Sequence, residues 1–242
     1  MRPVRSRTGC DHPQIMSLPV TRVAERRFFI GSAMVIAALC FAGFARSYYL
    51  RAWLGKRALA PVLHVHGMIM TAWIVLFTVQ IVFIAKHRIQ LHRKLGVLGA
   101  LLAALVVGLG AFIVVRDVGR QSPNATTASF WTLFVAFDGI NLILFGGLVF
   151  AAVWMRRRSD VHKRLMLLAA LSLLPPALGR IAIQFVPDER EPITKLALLA
   201  GCVVLVVLID TLRNRRLHPA FGWGIALLLT LNYATYLAQV ST

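Results

Sequence analysis

The uncharged stretch PVLHVHGMIMTAW, residues 61–73, begins a segment that contains no Asp, Glu, Lys or Arg before Lys86. As a helix rising about 1.5 Å per residue, the segment 61–85 is long enough to cross the roughly 30 Å hydrocarbon core of a bilayer. An imidazole in such a segment is costly unless it faces the protein interior or a polar cavity. His64 and His66 therefore indicate a membrane span that carries a functional site.

The whole chain has the composition of a membrane protein. Of its 242 residues, 58% are hydrophobic and 15% are charged, which is too apolar for an ordinary soluble domain. We predict an all-α membrane protein, a single seven-helix transmembrane bundle over 28–239, preceded by a disordered basic tail at 1–27. The predicted spans are 28–50, 61–85, 95–115, 129–155, 164–186, 194–211 and 220–239. The pair Pro175-Pro176 predicts a kink in the fifth span.

The net charge of +18 is concentrated in short loops between the predicted spans. If the N-terminus is inside, 18 Lys and Arg residues lie on the inner side and eight on the outer side. This asymmetry predicts a bacterial inner-membrane protein with its N-terminus inside and its C-terminus outside. The basic loops are expected to contact anionic lipid headgroups, and their placement argues against a nucleic-acid partner. A homo-oligomer or a partner in a membrane complex stays open.

One stripe of the segment 61–85 is predicted to face the interior of the bundle. Steps of three and four residues from His66 reach Trp73 and Gln80 on the same side of the helix. His64 lies about 200° away, so the two imidazoles can bind one metal only if the first helical turn is irregular. His64 and His66 are the candidate metal ligands, and copper is among the metals that imidazole suits.

An outer polar cluster is the first candidate site. Its members are predicted in the outer half of the bundle: His64, His66, Asp138, Asn141, Arg180, Asn232 and Tyr233. They could bind a transition metal, a quinone or other carbonyl ligand, or an anion. The alternative is that Asp138 and Arg180 pair only to hold two helices together, as buried charges in membranes do. Periodicity does not establish whether His66 meets these two residues.

Histidines in the inner hairpin turns form the second candidate site. The motifs Leu91-His92-Arg93, Val161-His162-Lys163 and Leu217-His218-Pro219 each place an imidazole at the beginning of the next helix. Axial ligation of haem needs two imidazoles from facing helices at one depth. His92 and His162 are therefore the candidate haem pair, with His218 as a further ligand. The alternative is that a histidine at such a position is solvated or bonded to a loop carbonyl.

Several of these motifs together resemble a known family. They are Tyr48-Tyr49-Leu50-Arg51, His64-x-His66-Gly67, Ala72-Trp73, Leu91-His92-Arg93-Lys94-Leu95-Gly96, His162-Lys163-Arg164-Leu165-Met166, Arg180 and Leu217-His218-Pro219-Ala220. From about Arg27 onward the chain resembles an uncharacterised family of bacterial multi-pass membrane proteins. The resemblance implies fold and location and carries no activity. The fragment 162–166 is also similar to small membrane proteins linked to terminal-oxidase assembly, but five residues transfer no function.

Three classes of function stay open. The first is redox-linked or cofactor-handling chemistry, with haem or a metal bound through boundary histidines such as His66 and His162. The second is a transporter or small-ligand-binding bundle that uses Asp138 and Arg180. The third is a structural or assembly partner of a membrane complex. The concentration of histidine at the membrane boundaries favours the first class. No nucleophile–base arrangement or phosphate loop is found, so the sequence assigns no reaction type, and an enzymatic activity stays open.

Overall fold

The computed structural model describes residues 19–118 and 125–240, with side chains for 23–116, 137–187 and 189–240. Its helices are α1 (Pro19–Phe44), α2 (Pro61–Ala85), α3 (Ile89–Val118), α4 (Ala125–Trp154), α5 (Ser159–Ser172), α6 (Pro175–Ala182), α7 (Glu191–Asn214) and α8 (Pro219–Val240), with a π-helical turn at Ala45–Tyr49 and a 3₁₀ turn at Asp188–Arg190. Seven segments, with α5 and α6 counted as one, are long and apolar enough to span a membrane. No strand occurs in this part of the chain. The predicted all-α, seven-span membrane bundle is confirmed.

Helix boundaries match the predicted ones where a proline begins the helix. Where basic residues precede the apolar segment, the helix begins earlier than predicted. Helix α2 begins at Pro61 and ends at Ala85, as predicted, because proline suits a first turn that has no N–H partner anyway. Helices α3 and α5 begin at Ile89 and Ser159, before the predicted 95 and 164. Lys, Arg and Gln are good helix formers, so the apolar window alone underestimates these helices. His92 and His162 consequently lie in first helical turns.

The N-terminal boundary also differs from the prediction. Helix α1 begins at Pro19, so 19–27 belong to a helix instead of the predicted tail. The rest of that predicted tail, 1–18, lies outside the described residues.

The segment formed by α5 and α6 is the central span of the bundle. In its most apolar window 78% of residues are buried, against at most 33% in any other span. Helices α1, α4, α7 and α8 pack on it, and α2 and α3 complete the bundle between α1 and α4. Its sequence LMLLAALSLL is apolar on every side, which is typical of a helix enclosed by protein. The break before Pro175 is the predicted proline kink.

Small residues let two neighbouring helices approach the central span closely. A Cβ added at Gly43 of α1 would lie 2.7 Å from the Cα of Ala177 in α6. A Cβ added at Gly224 of α8 would overlap the side chain of Leu168 in α5. Such contacts are how helices gain van der Waals packing when lipid and protein interior are equally apolar.

The turns between the helices lie at two ends of the bundle. The basic end is formed by the turns α2–α3 (86–88), α4–α5 (155–158) and α7–α8 (215–218). The opposite end holds the turns α1–α2 and α6–α7.

Candidate functional site

Three consecutive side chains at the start of α5 contact three different helices. His162 bonds to α4, Lys163 forms an ion pair with Glu25 of α1, and Arg164 forms an ion pair with Asp210 of α7. Successive residues point about 100° apart on a helix with 3.6 residues per turn. Since α5 is enclosed, each of these directions meets a different neighbour. The motif His-Lys-Arg therefore joins four helices at the basic end.

The rings of His92 and His162 lie next to each other at this end. Their centroids are 6.3 Å apart and their planes make an angle of 75°. His162 Nδ1 is 2.8 Å from the carbonyl oxygen of Ala152. A carbonyl only accepts, so Nδ1 carries the hydrogen and donates it, and in the neutral form of the ring Nε2 has the lone pair. Metal-binding histidines are commonly oriented in this way, by a backbone carbonyl that holds the second nitrogen.

The spacing of the two rings fits a shared metal centre. Two imidazoles that bind one ion from opposite sides, each with a nitrogen about 2 Å from it, have ring centres about 6 Å apart. In the described part of the chain, no group of three or more His, Cys, Asp or Glu residues could hold a metal ion. His92 and His162 therefore offer two ligands. Two histidines would be enough to hold a haem iron, whereas a structural zinc site takes four protein ligands.

Within the described residues, buried polar groups without a hydrogen-bond partner lie at nearly the same depth in the bundle as His92 and His162. Nδ1 of His92 is buried and has no hydrogen-bond partner within the described residues, and the same holds for both amide atoms of Gln80. Gly99 of α3 faces Leu76 of α2, which places Gln80 about one helical turn deeper than His92 in this antiparallel pair. A buried polar group without a partner costs about 1–3 kcal/mol. These groups fit a site whose polar partner comes from outside the chain.

His218 is separate from the histidine pair. Its Nδ1 accepts a hydrogen bond of 3.2 Å from the backbone N–H of Ala220, at the beginning of α8. Its Nε2 lies 3.3 Å from Oδ2 of Asp160. Both ring nitrogens are engaged, so His218 joins α5 to α8 and has no free nitrogen for a metal. His87, in the α2–α3 turn, is exposed and has a left-handed φ of 59°.

Two members of the predicted outer cluster bond to each other at the opposite end. Asn141 of α4 and Asn232 of α8 donate to each other's side-chain oxygens at 3.3 and 3.2 Å. Each amide also donates to its own helix, to the carbonyl oxygens of Phe137 and Leu228. Both side chains are buried. The pair forms a satisfied interhelical link with few donors left for a ligand.

Arg180 and Asp138 are also near each other. The two charges interact electrostatically between α6 and α4. The guanidinium of Arg180 lies 4.5 Å from the centroid of the Phe44 ring and donates from Nη1 to the carbonyl oxygen of Pro176 at 2.8 Å. Arg180 is therefore held by α1, by its own helix and by the charge of Asp138.

The remaining predicted outer residues, His64, His66 and Tyr233, differ in exposure. His66 is half-buried on the inward stripe with buried Trp73, whereas His64 is exposed. Tyr48 donates from its hydroxyl to the carbonyl oxygen of His64 at 3.1 Å. Helix α2 is regular from Pro61, so the irregular first turn that would bring both imidazoles to one metal is not found. Tyr233 is exposed.

The buried ion pair between Arg164 and Asp210 is a contact that the sequence alone did not predict. A usable signal was present, because Asp210 follows an otherwise uncharged run from Leu196. A carboxylate at that depth requires a cation at the same depth on another helix. Arg164, at the beginning of the central span, meets that requirement.

Comparison with known proteins adds no relationship to these observations. No family model, curated protein or solved structure matches this chain significantly. The resemblance of its motifs to a bacterial multi-pass family stays a prediction, and function has to be argued from the site itself.

Proposed function

We propose that this protein is an integral protein of the bacterial inner membrane that binds haem, or failing that a transition metal, between His92 and His162. The observation that carries the proposal is the ring pair at 6.3 Å, in which His162 Nδ1 is fixed by the carbonyl of Ala152. Haem supplies four ligands of its own, so a two-histidine site is complete for haem and incomplete for most bare ions.

The ligand set favours electron transfer over substrate turnover. If His92 and His162 both held the haem iron, they would leave a substrate no place to bind it, and the haem would supply one-electron transfer. Arg93, next to His92 in sequence, adds positive charge that suits the carboxylates of a porphyrin, whereas Lys163 is already paired with Glu25. Gln80 offers a hydrogen-bond donor and an acceptor about one turn deeper. These features support a redox-linked or cofactor-handling role.

The test is the cofactor content of the full-length protein. We would produce the protein in cells supplied with a haem precursor, purify it in mild detergent, and record its visible spectrum and its metal content. The proposal predicts about one haem or metal per chain, lost in His92→Gln and in His162→Gln. His87→Asn is the matched control because His87 is exposed at the same end and Asn tolerates its positive φ.

Two results would contradict the proposal. One is a colourless, metal-free wild-type protein that binds neither haem nor copper when these are added. The other is a cofactor that stays fully bound in both His92→Gln and His162→Gln.

A structural role is the candidate function for the opposite end. The reciprocal Asn141–Asn232 bonds and the contacts of Arg180 favour helix locking over a ligand site there. Asp138→Asn and Arg180→Gln would then lower thermal stability and leave uptake or binding of any solute unchanged. A solute whose binding or uptake is lost in both variants, at unchanged stability, would instead support the transporter alternative.

The basic end is proposed to face the cytoplasm. The excess of Lys and Arg in its turns follows the positive-inside rule. The histidine pair would then lie near the cytoplasmic boundary, within reach of soluble or membrane-bound electron carriers.

A further inference from the structure

The loop between α1 and α2 exposes apolar side chains in a fixed arrangement. One further helical turn follows the π-helical turn, and in it the N–H of Leu54 donates to the carbonyl oxygen of Leu50 at 3.0 Å. Side chains at positions i, i+3 and i+4 lie on one side of such a turn. Leu50, Trp53 and Leu54 have this spacing and are 48%, 91% and 48% exposed. A cluster of exposed apolar side chains marks a surface that contacts a membrane or another molecule.

The turn is already ordered by bonds within the loop. Gly55 has a left-handed φ of 63°, and its N–H donates to the carbonyl oxygen of Ala52 at 3.1 Å. The N–H of Lys56 donates to the carbonyl oxygen of Arg51, also at 3.1 Å, which completes the Schellman arrangement that ends a helix. Arg51 in turn donates from Nε to the carbonyl oxygen of Arg57 at 2.7 Å. A contact made through this ordered turn costs little conformational entropy.

The same loop is basic. The segment 46–57 holds four Lys and Arg residues and no Asp or Glu. Arg46, Lys56 and Arg57 are exposed, and the ion pairs among the described residues all involve other cations. A cluster of cations at this end runs against the charge asymmetry that concentrates Lys and Arg at the basic end. Exposed cations beside an apolar patch favour an anionic, lipid-like partner.

Contacts with α2 fix the depth of this loop. A Cβ added at Gly67 would overlap the ring of Tyr48, so the chain leaves α1 beside the second turn of α2, about 9 Å further into the bundle than Pro61. Tyr49 shares a hydrogen bond of 2.7 Å with Thr71. Helix α2 is about 37 Å long, so its first turn lies beyond a hydrocarbon core of roughly 30 Å. The loop, which runs from Tyr49 to Pro61, therefore lies where hydrocarbon gives way to headgroups.

We propose that the α1–α2 loop anchors this end of the bundle in the membrane interface and binds anionic phospholipid there. Leu50, Trp53 and Leu54 enter the lipid at the level of the glycerol groups, where the amphipathic indole ring is favoured. Lys56 and Arg57 bind the phosphate oxygens of these lipids. Apolar side chains among acyl chains and cations among headgroups are the pattern of an interfacial segment. The anchor is independent of the proposed cofactor and of the proposed orientation.

The first measurement locates Trp53. Full-length wild type and Trp53→Phe are reconstituted into lipid nanodiscs of phosphatidylcholine and phosphatidylglycerol, and the difference between their emission spectra gives the fluorescence of Trp53. Lipids whose acyl chains are brominated near the headgroup should quench this fluorescence. If brominated lipid leaves it unchanged, the loop does not contact lipid and the proposal is overturned. Quenching by aqueous iodide alone would then show that the loop faces water and is open to a soluble partner.

The second measurement identifies the headgroup. Brominated phosphatidylglycerol and brominated phosphatidylcholine are compared at equal mole fraction, and their quenching gives the relative affinity of the two lipids beside Trp53. Each Lys or Arg near an anionic headgroup strengthens binding about fivefold, so wild type should prefer phosphatidylglycerol by at least about fivefold. Lys56→Gln/Arg57→Gln should lose most of this preference. The matched control Arg157→Gln/Arg158→Gln, which changes two exposed cations in the α4–α5 turn at the basic end, should keep it.

Two results of this comparison would overturn the headgroup assignment. One is equal affinity of wild type for the two lipids, and the other is the same preference in Lys56→Gln/Arg57→Gln as in wild type. Both double variants change exposed side chains and should melt as wild type does. If Lys56→Gln/Arg57→Gln does not fold, the single variants Lys56→Gln and Arg57→Gln take its place, and an unchanged preference in both overturns the assignment.

Discussion

Arg164 and Asp210 form a bidentate ion pair between α5 and α7, with Nε 2.9 Å from Oδ2 and Nη2 3.0 Å from Oδ1. Their side chains are only 5% and 1% exposed. Arg164 also donates from Nη1 to the carbonyl oxygen of Asp160 at 2.9 Å, and its guanidinium lies 5.8 Å from the centroid of the Phe221 ring of α8. One side chain thus joins the central span to two neighbours, two residues after His162.

Removing one partner of this pair should destabilise the bundle strongly. Arg164→Met or Asp210→Asn leaves a buried charge without its partner. Such single changes lower the free energy of unfolding by about 3–5 kcal/mol. The double variant Arg164→Met/Asp210→Leu should recover most of that loss, because it leaves no buried charge. Thermal or denaturant unfolding in detergent measures the effect. Lys163→Gln is the control, since its half-exposed pair with Glu25 should contribute at most about 1 kcal/mol. Equal losses in Lys163→Gln and Arg164→Met would contradict this assignment.

The two buried asparagines should be energetically coupled. Asn141→Leu removes both hydrogen bonds between the two amides and leaves Asn232 its bond to Leu228, and the reverse change leaves Asn141 its bond to Phe137. Interhelical hydrogen bonds in membrane proteins contribute about 0.6–1.7 kcal/mol. A double-mutant cycle with both Leu variants should give a coupling energy in that range. A coupling energy of zero would show that the amides act independently.

Close packing between α1 and the central span should make Gly43 sensitive to any side chain. Gly43→Ala would bring Cβ against the backbone of Ala177, which cannot move without shifting α6. We expect a clear fall in melting temperature. Gly31→Ala, in the same helix with no atom within 4 Å of the added Cβ, should be neutral or stabilising because Ala is the better helix former. The prediction fails if the two variants melt at the same temperature.

Composition and segment length were enough to predict the seven spans, but not which span is central. The central span has a mean hydropathy of 1.7, below the 2.7 of α3, although it is far more buried. Lipid and protein interior are both apolar. Hydropathy therefore identifies a segment as membrane-spanning but does not tell whether other helices or lipid surround it. The break at Pro175 was predictable because proline cannot continue the hydrogen-bond ladder.

The candidate sites could likewise be predicted from the sequence only in part. His92 and His162 could be paired from the sequence because both stand in the first turns of parallel helices at one end. His218 has the same placement in sequence, yet its ring bonds to Asp160 and the start of α8. The rotation of α8 relative to α5 decides this difference, and a single sequence does not give it. For His64 and His66, helix periodicity alone is enough to predict that the two rings point in different directions, because both residues belong to one regular helix.

The proposed orientation can be tested by labelling single cysteines. In a chain without Cys10, Cys40 and Cys202, we would introduce Arg157→Cys in the α4–α5 turn or Trp53→Cys between α1 and α2, both exposed positions. A membrane-impermeant maleimide added to intact spheroplasts should label position 53 and leave position 157 unlabelled until the membrane is permeabilised. The reverse pattern would place the basic end outside and contradict the positive-inside assignment.

The central claim, that His92 and His162 share one cofactor, is tested most directly by titrating haemin into detergent-purified protein made without added haem. Bis-histidine ligation predicts saturation at about one haem per chain with a six-coordinate, low-spin absorption spectrum. His162→Gln should not form this species, and His87→Asn should form it as wild type does. Haemin that binds without saturation, or gives the same spectrum in wild type and His162→Gln, would contradict the claim.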